Sequence, residues 1–137
     1  RETAPKIMSL LPSYDLKKVL FHWFSSRFIG LLPQIVDCEY YITEGPPTVY
    51  SSGVREVIGR IPLTNLLTET DGPVRFGGPF KGEMTTPSFI PSVIEAIAQI
   101  KGMKETEVAN QILKNFANFF GVKSVSDKRR KETTIGV

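Results

Sequence analysis

The chain has 137 residues, 41% of them hydrophobic and 23% charged, a balance that excludes a disordered polypeptide and suits one globular domain with its own core. Its formal charge of +3 is modest, and its single cysteine, Cys38, excludes an intrachain disulfide and fits a reducing compartment. No apolar run approaches the roughly 18 residues of a membrane span, and the polar start Arg1-Glu2-Thr3 is no signal peptide, so a soluble cytoplasmic protein without a membrane partner is expected.

Ala4 to Leu11 has helical spacing, with Pro5 in the first turn, Ile7, Leu10 and Leu11 on one face, and Pro12 as the stop. Val19 to Phe24 is an apolar run interrupted by one imidazole and reads as a buried strand. Ser25 to Val36 is predicted helical, cut near Pro33. Tyr40 to Thr43 is strand-like and stops at Glu44-Gly45-Pro46-Pro47. Ser51 or Ser52 can cap a helix reaching about Gly59, with Val54, Val57 and Ile58 inward. Leu66 and Leu67, flanked by threonines, form a short buried strand that ends in Asp71 and breaks on Gly72-Pro73.

Gly72 to Pro87 is a long loop rich in glycine and proline, of the kind that is functional or mobile in compact domains. Ser88 is placed to cap an amphipathic helix carrying Val93, Ile94, Ile97 and Ile100 on one stripe and ended by Gly102. A last helix from about Glu105 to Phe120 turns Val108, Ile112, Phe116 and Phe119 inward and closes at Gly121. Residues 122–137 make a basic tail containing Lys128-Arg129-Arg130-Lys131, read as a frayed and solvated terminus.

Strands alternating with helices at short spacing imply a parallel sheet with right-handed crossovers, hence an α/β fold. Three strands make a poor closed unit, because a parallel sheet needs cover on both faces. The chain is also too short for a complete eight-stranded α/β barrel of about 250 residues. It reads as part of a larger α/β fold.

Two residues stand out chemically. A carboxylate ending a buried strand is costly unless something satisfies it, and Asp71 is either a turn cap or a site residue at the strand end where α/β active sites gather. His22 is the only histidine, and on an apolar run it is either a hydrogen-bonded core residue or a ligand. A neutral imidazole on one strand and a carboxylate at the end of another form a donor set used by catalytic divalent metals, yet two ligands fall short of the three or more such a site needs.

The order His22-Trp23-Phe24-Ser25, then Tyr40-Tyr41-Ile42, then Ile61-Pro62-Leu63-Thr64-Asn65-Leu66-Leu67-Thr68-Glu69-Thr70-Asp71-Gly72-Pro73 resembles the C-terminal half of TatD-type deoxyribonucleases. Val108-Ala109 and Asn115 before Phe119-Phe120-Gly121 match as well, so the resemblance runs to about Gly121. It implies an α/β fold that is roughly the C-terminal half of a TIM (β/α)8-type metal-hydrolase barrel, with two C-terminal helices, over residues 1–121. It further implies that His22 and Asp71 are metal ligands and that Asp71 orients or deprotonates the attacking water. The family's other ligands would precede Arg1, leaving this chain with two of about six. Two features depart from the family pattern: Ser26 stands where Gly is usual, and Thr85-Thr86-Pro87 replaces an Arg-Asn-x-Pro element.

The expected function is therefore metal-dependent hydrolysis, foremost cleavage of DNA phosphodiester bonds by a metal-activated water, with Mg²⁺, Mn²⁺ or Zn²⁺, two ions in the intact protein. Arg75 and Lys81 could supply charge to a phosphate, although ordinary surface exposure competes; Trp23 and Phe24 could stack on a base, although core packing is expected for at least one; and Glu44 could reach the site or be a solvated strand-end carboxylate. The alternatives are an amidohydrolase-like or phosphotriesterase-like enzyme of a small substrate, and a non-catalytic half-barrel. The latter would pair through exposed strand edges with an N-terminal half or a second copy. A clean monomer in size-exclusion chromatography would count against self-association.

Overall fold

The computed structural model describes residues 3–122. The basic run Lys128 to Lys131 lies outside the described residues. Three short strands, β1 (Leu20–Phe21), β2 (Tyr41–Glu44) and β3 (Leu66–Thr68), form one parallel sheet in the order β1-β2-β3. Five α-helices accompany them: α1 (Thr3–Leu10), α2 (Leu32–Asp37), α3 (Ser52–Arg60), α4 (Ile90–Lys101) and α5 (Glu105–Phe120). Leu20 lies opposite Tyr41 and Phe21 opposite Ile42, while Ile42, Thr43 and Glu44 face Leu66, Leu67 and Thr68. The fold is thus α/β with parallel strands, as expected, and a closed barrel is not formed by the described residues.

The central strand is buried on both faces, since its successive residues Ile42 and Thr43, which point to opposite faces, are both shielded. Ile42 joins Ile35, Val57, Ile58, Leu66, Val93, Ile97 and Val108 in the main core. At about 25 cal/mol per Å² of apolar surface buried, full burial of each such side chain contributes about 1.5–3 kcal/mol, which is why the apolar stripes of α3, α4 and α5 face the sheet.

Element boundaries differ from the expected ones in ways that shape the site. The run Val19 to Phe24 yields only two strand residues, because the chain turns at Trp23, which holds φ +53°. Pro33 does not cut a helix; it sits in the first turn of α2, where its missing N–H costs nothing, after a 3₁₀ segment over Ser26–Leu31. Ser51 caps α3 as predicted, its side chain accepting from the Val54 N–H. Ser88 caps nothing: it lies within a 3₁₀ turn, Pro87–Phe89, and its hydroxyl meets that of Thr86 at 2.5 Å. Gly102 and Gly121 end α4 and α5 in left-handed conformation.

On α5 the inward position is Asn115 rather than Phe116, which is 44% exposed. The helix crosses the start of β3, where backbone carbonyls need donors more than the core needs a ring. Asn115 Nδ2 donates to Leu63 O and Leu66 O, both at 2.7 Å, and its Oδ1 accepts from Gln111 Nε2 at 2.7 Å. Asn115→Ala should leave buried carbonyls unpaired and lower stability by about 1–3 kcal/mol, read as a shift in the urea midpoint. A change within about 0.5 kcal/mol would show that the helix does not hold β3 this way.

The long loop is organised around its own aromatic cluster, Phe76, Phe80 and Phe89, with the last two rings 4.5 Å apart. Tyr50 pins it: its hydroxyl accepts from the Gly77 N–H at 3.1 Å, and a Cβ on Gly78 (φ +55°) would come within 2.6 Å of the Tyr50 ring. No described helix is long and apolar enough to cross a membrane.

Candidate metal centre

The C-terminal ends of all three strands contribute to one cluster. Past β1, the turn at Trp23 is held to the central strand by two bonds: Trp23 N–H donates to Thr43 Oγ1 at 3.2 Å and Phe24 N–H to Thr43 O at 3.4 Å. The His22 imidazole is thereby thrown outward, its side chain 56% exposed rather than buried in a strand. Phe24 takes the core position, and Trp23 lies at the surface with its ring edge-on to Phe76 at 6.1 Å.

Past β3 the chain stays extended through Glu69, whose N–H donates to Glu44 O at 3.2 Å, and then turns at Asp71, which holds φ +50° and accepts at its carbonyl from the Val74 N–H at 3.0 Å. Asp71 thus lies three residues beyond β3 instead of ending it. Non-glycine residues in the left-handed region cost about 1–3 kcal/mol, and both such turns here aim side chains at the same spot.

Asp71 Oδ2 stands 3.5 Å from His22 Nε2. The other imidazole nitrogen, Nδ1, is 2.5 Å from Glu69 Oε2, and Thr43 Oγ1 donates to that same oxygen. The Glu69 side chain is only 13% exposed, and its other oxygen, Oε1, is buried without a partner. Gly45 lies hard against it: a Cβ there would sit 2.7 Å from Glu69 O, so only glycine permits β2 and the Glu69 segment to approach this closely.

Glu44 departs from the solvated strand-end reading. It is 0% exposed, and neither carboxylate oxygen has a partner. Burial pushes its carboxyl up to about 8, with the neighbouring Glu69 charge adding to the rise, so Glu44 is neutral at pH 7. Its place beside the cluster is below the surface, where it touches no solvent. Arg75 and Lys81 are both exposed, and the Arg75 guanidinium donates to Gly82 O and Glu83 O, each at 3.4 Å, bracing its own loop.

The donor chemistry can be tested against a cation. Two ligand atoms each about 2.1 Å from a tetrahedral metal stand about 3.4 Å apart. The His22 Nε2 to Asp71 Oδ2 separation of 3.5 Å fits two adjacent ligand positions. The pair is not a full set: among the described residues no group of three or more His, Cys, Asp or Glu side chains could hold a metal. Thr43 and Glu69 were missed by sequence reasoning. Glu69 had a signal, since in an extended segment residues two apart face the same way and Glu69 is two before Asp71. Thr43 had none, because only the register places it between His22 and Glu69.

Known proteins share this arrangement of chain. The family described as TatD related DNase matches residues 1–121. An uncharacterized metal-dependent hydrolase of Bacillus subtilis, YabD, is 33% identical over 126 residues, covering 89% of this chain and 49% of that protein. The human deoxyribonuclease TATDN3 is 29% identical over 120 residues, covering 88% of this chain and 43% of its own length. The crystal structure of YjjV, a TatD homologue from Escherichia coli, superposes with a TM-score of 0.79 at 28% identity, covering 90% of this chain and 48% of that one. The chain thus spans about half the length of the curated relatives it matches. It belongs to the TatD-related DNase family of metal-dependent hydrolases.

Proposed function

We propose that this chain supplies part of the divalent-metal centre of a hydrolase that cleaves DNA phosphodiester bonds, with His22 and Asp71 as metal ligands. The observation that carries the reading is the convergence of His22 Nε2 and Asp71 Oδ2 to 3.5 Å at the C-terminal ends of parallel strands, the end of the sheet where α/β enzymes place their chemistry. The three strands form roughly the C-terminal part of a (β/α)8-type barrel whose other strands would bring the missing ligands. The open edge of β1 is where such strands, or a second copy of the chain, would pair. An apolar cleft of about 280 Å³ between Ile7, Leu20 and Trp23 runs along that edge.

The chemistry a divalent cation (Mg²⁺, Mn²⁺ or Zn²⁺) would supply there is Lewis-acid activation of water and charge compensation at a phosphoryl oxygen. His22 would hold it through Nε2 as a neutral imidazole. Asp71 would hold the ion through Oδ2 and would orient the attacking water or take its proton. Trp23, Arg75 and Lys81 are all surface groups near the two strand ends or on the loop between Asp71 and α4, able to meet a base or a phosphate. Buried Glu44 does not meet substrate directly.

The experiment that tests the reading offers DNA, a small amide and a phosphotriester to a protein that carries this chain at the full length of its relatives, with Mn²⁺ present. Cleavage of DNA in preference to the small substrates is expected. Preference for a small substrate would replace the nuclease reading with an amidohydrolase-like or phosphotriesterase-like one.

A further inference from the structure

Glu69 and Thr43 form the part of the cluster that neither the motif chemistry nor the ligand pair uses. We infer that they are positioning residues that fix the tautomer and plane of His22, so that Nε2 presents its lone pair beside Asp71; the inference rests on the metal-centre reading above.

The argument begins with hydrogen-bond bookkeeping. Glu69 Oε2 receives the Thr43 hydroxyl and lies 2.5 Å from His22 Nδ1. An ionised carboxylate only accepts, so the proton in the second contact belongs to Nδ1. Neutral imidazole carries one N–H, and placing it on Nδ1 leaves Nε2 as the bare nitrogen. Asp71 could in principle draw the proton to Nε2. Its oxygen, at 3.5 Å, is beyond good hydrogen-bond length, whereas Glu69 is within it.

Thr43 makes Glu69 rigid. It is nearly fully buried on the central strand, accepts from the Trp23 N–H at 3.2 Å and donates to Glu69, so one hydroxyl ties the turn after β1 to the segment after β3. Gly45 holds the Glu69 backbone from below, since even a methyl group there would collide with Glu69 O. A carboxylate on the far nitrogen of a ligand histidine raises its basicity and sets ring orientation, and loss of such a partner costs about 10–100-fold in metal affinity.

His22 is the only histidine in the chain, so its ring nitrogens can be observed without assignment ambiguity. The test is ¹⁵N spectroscopy of the metal-free 137-residue chain with labelled imidazole, in buffer alkaline enough to keep histidine neutral. The wild type should show the proton on Nδ1. Glu69→Ala and Thr43→Val should move it toward Nε2, which free histidine favours in water, and Thr43→Ser should restore Nδ1. A wild-type proton found on Nε2 overturns the inference without any variant, as does an unchanged tautomer in folded Glu69→Ala. Titration with Mn²⁺ gives a second readout of the positioning role. Broadening of the His22 signals should need about 10–100-fold more Mn²⁺ in Glu69→Ala than in wild type, and an equal requirement overturns the positioning role. The metal-centre reading is tested apart from this by His22→Ala in a protein carrying this chain at its relatives' full length: unchanged Mn²⁺ affinity there overturns that reading, while the tautomer result still stands or falls by itself.

Discussion

His22→Ala and Asp71→Ala are each expected to lower Mn²⁺-dependent DNA cleavage by about 100-fold or more in a protein carrying this chain at its relatives' full length. Removing only an outer partner of a metal ligand already costs about 10–100-fold, and a lost ligand should exceed that. The two effects should not add. Both side chains would hold one ion, with donor atoms 3.5 Å apart, so the double variant should resemble either single one. The 137-residue chain alone should cleave little or not at all, because its described residues offer two ligand atoms where about three or more are needed. Fold and ligand loss can be told apart. His22 is exposed past the end of β1, so His22→Ala should leave the urea midpoint within about 0.5 kcal/mol of wild type. Retained cleavage in both single variants would remove them from the metal centre, and robust cleavage by the isolated chain would show that the ligand set is complete without further strands.

The second large effect concerns Glu44 and is a matter of stability. In the folded chain its carboxyl titrates at about 8, against an ordinary value of 4.5, with burial the larger cause and Glu69 the smaller. Between those two values the native state keeps a proton that the unfolded chain has released. The folded state then binds more protons than the unfolded, so stability falls as pH rises, by up to about 1.4 kcal/mol per pH unit from this group. Below the unfolded value the contribution is intact, and above the folded value it is lost. Urea unfolding from about pH 5 to about pH 8 should therefore show wild type losing stability relative to Glu44→Gln, by a few kcal/mol over the window. Parallel curves would mean that Glu44 reaches water or a cation in solution. The electrostatic logic also serves the site. Glu44, held in the interior, keeps its proton at pH 7 and so brings no buried negative charge to the cluster.

The α/β class and the helices were legible because they rest on periodicity and caps. The stripe Val93, Ile94 and Ile97 and the bounds Glu105–Phe120, closed by Gly121, follow from spacing and a left-handed stop. The strands were less legible. Val19 to Phe24 is apolar throughout, yet only two of its residues pair, since neither hydropathy nor propensity announces a positive φ at tryptophan. Phe116 reads as core and lies outward, because the demand that turned Asn115 inward comes from carbonyls fifty residues away. Glu44 shows the same limit from the other side. A glutamate before Gly45-Pro46-Pro47 reads as solvated, and only its place in the central strand buries it.

By itself the sequence determined the family, through the Glu69-Thr70-Asp71-Gly72-Pro73 string and its order after His22-Trp23-Phe24-Ser25, and it determined that His22 and Asp71 were the residues to watch. Those are properties of residue type and spacing along one segment, which a chain carries whether folded or not. The tertiary structure decided what the two residues face: His22 Nε2 against Asp71, Nδ1 against Glu69, and Thr43 between the strands. Such contacts join positions 22, 43, 69 and 71 only through the register of three parallel strands and two left-handed turns. A one-residue slip of β2 would turn Thr43 to the other face and break its link between the turn at Trp23 and Glu69.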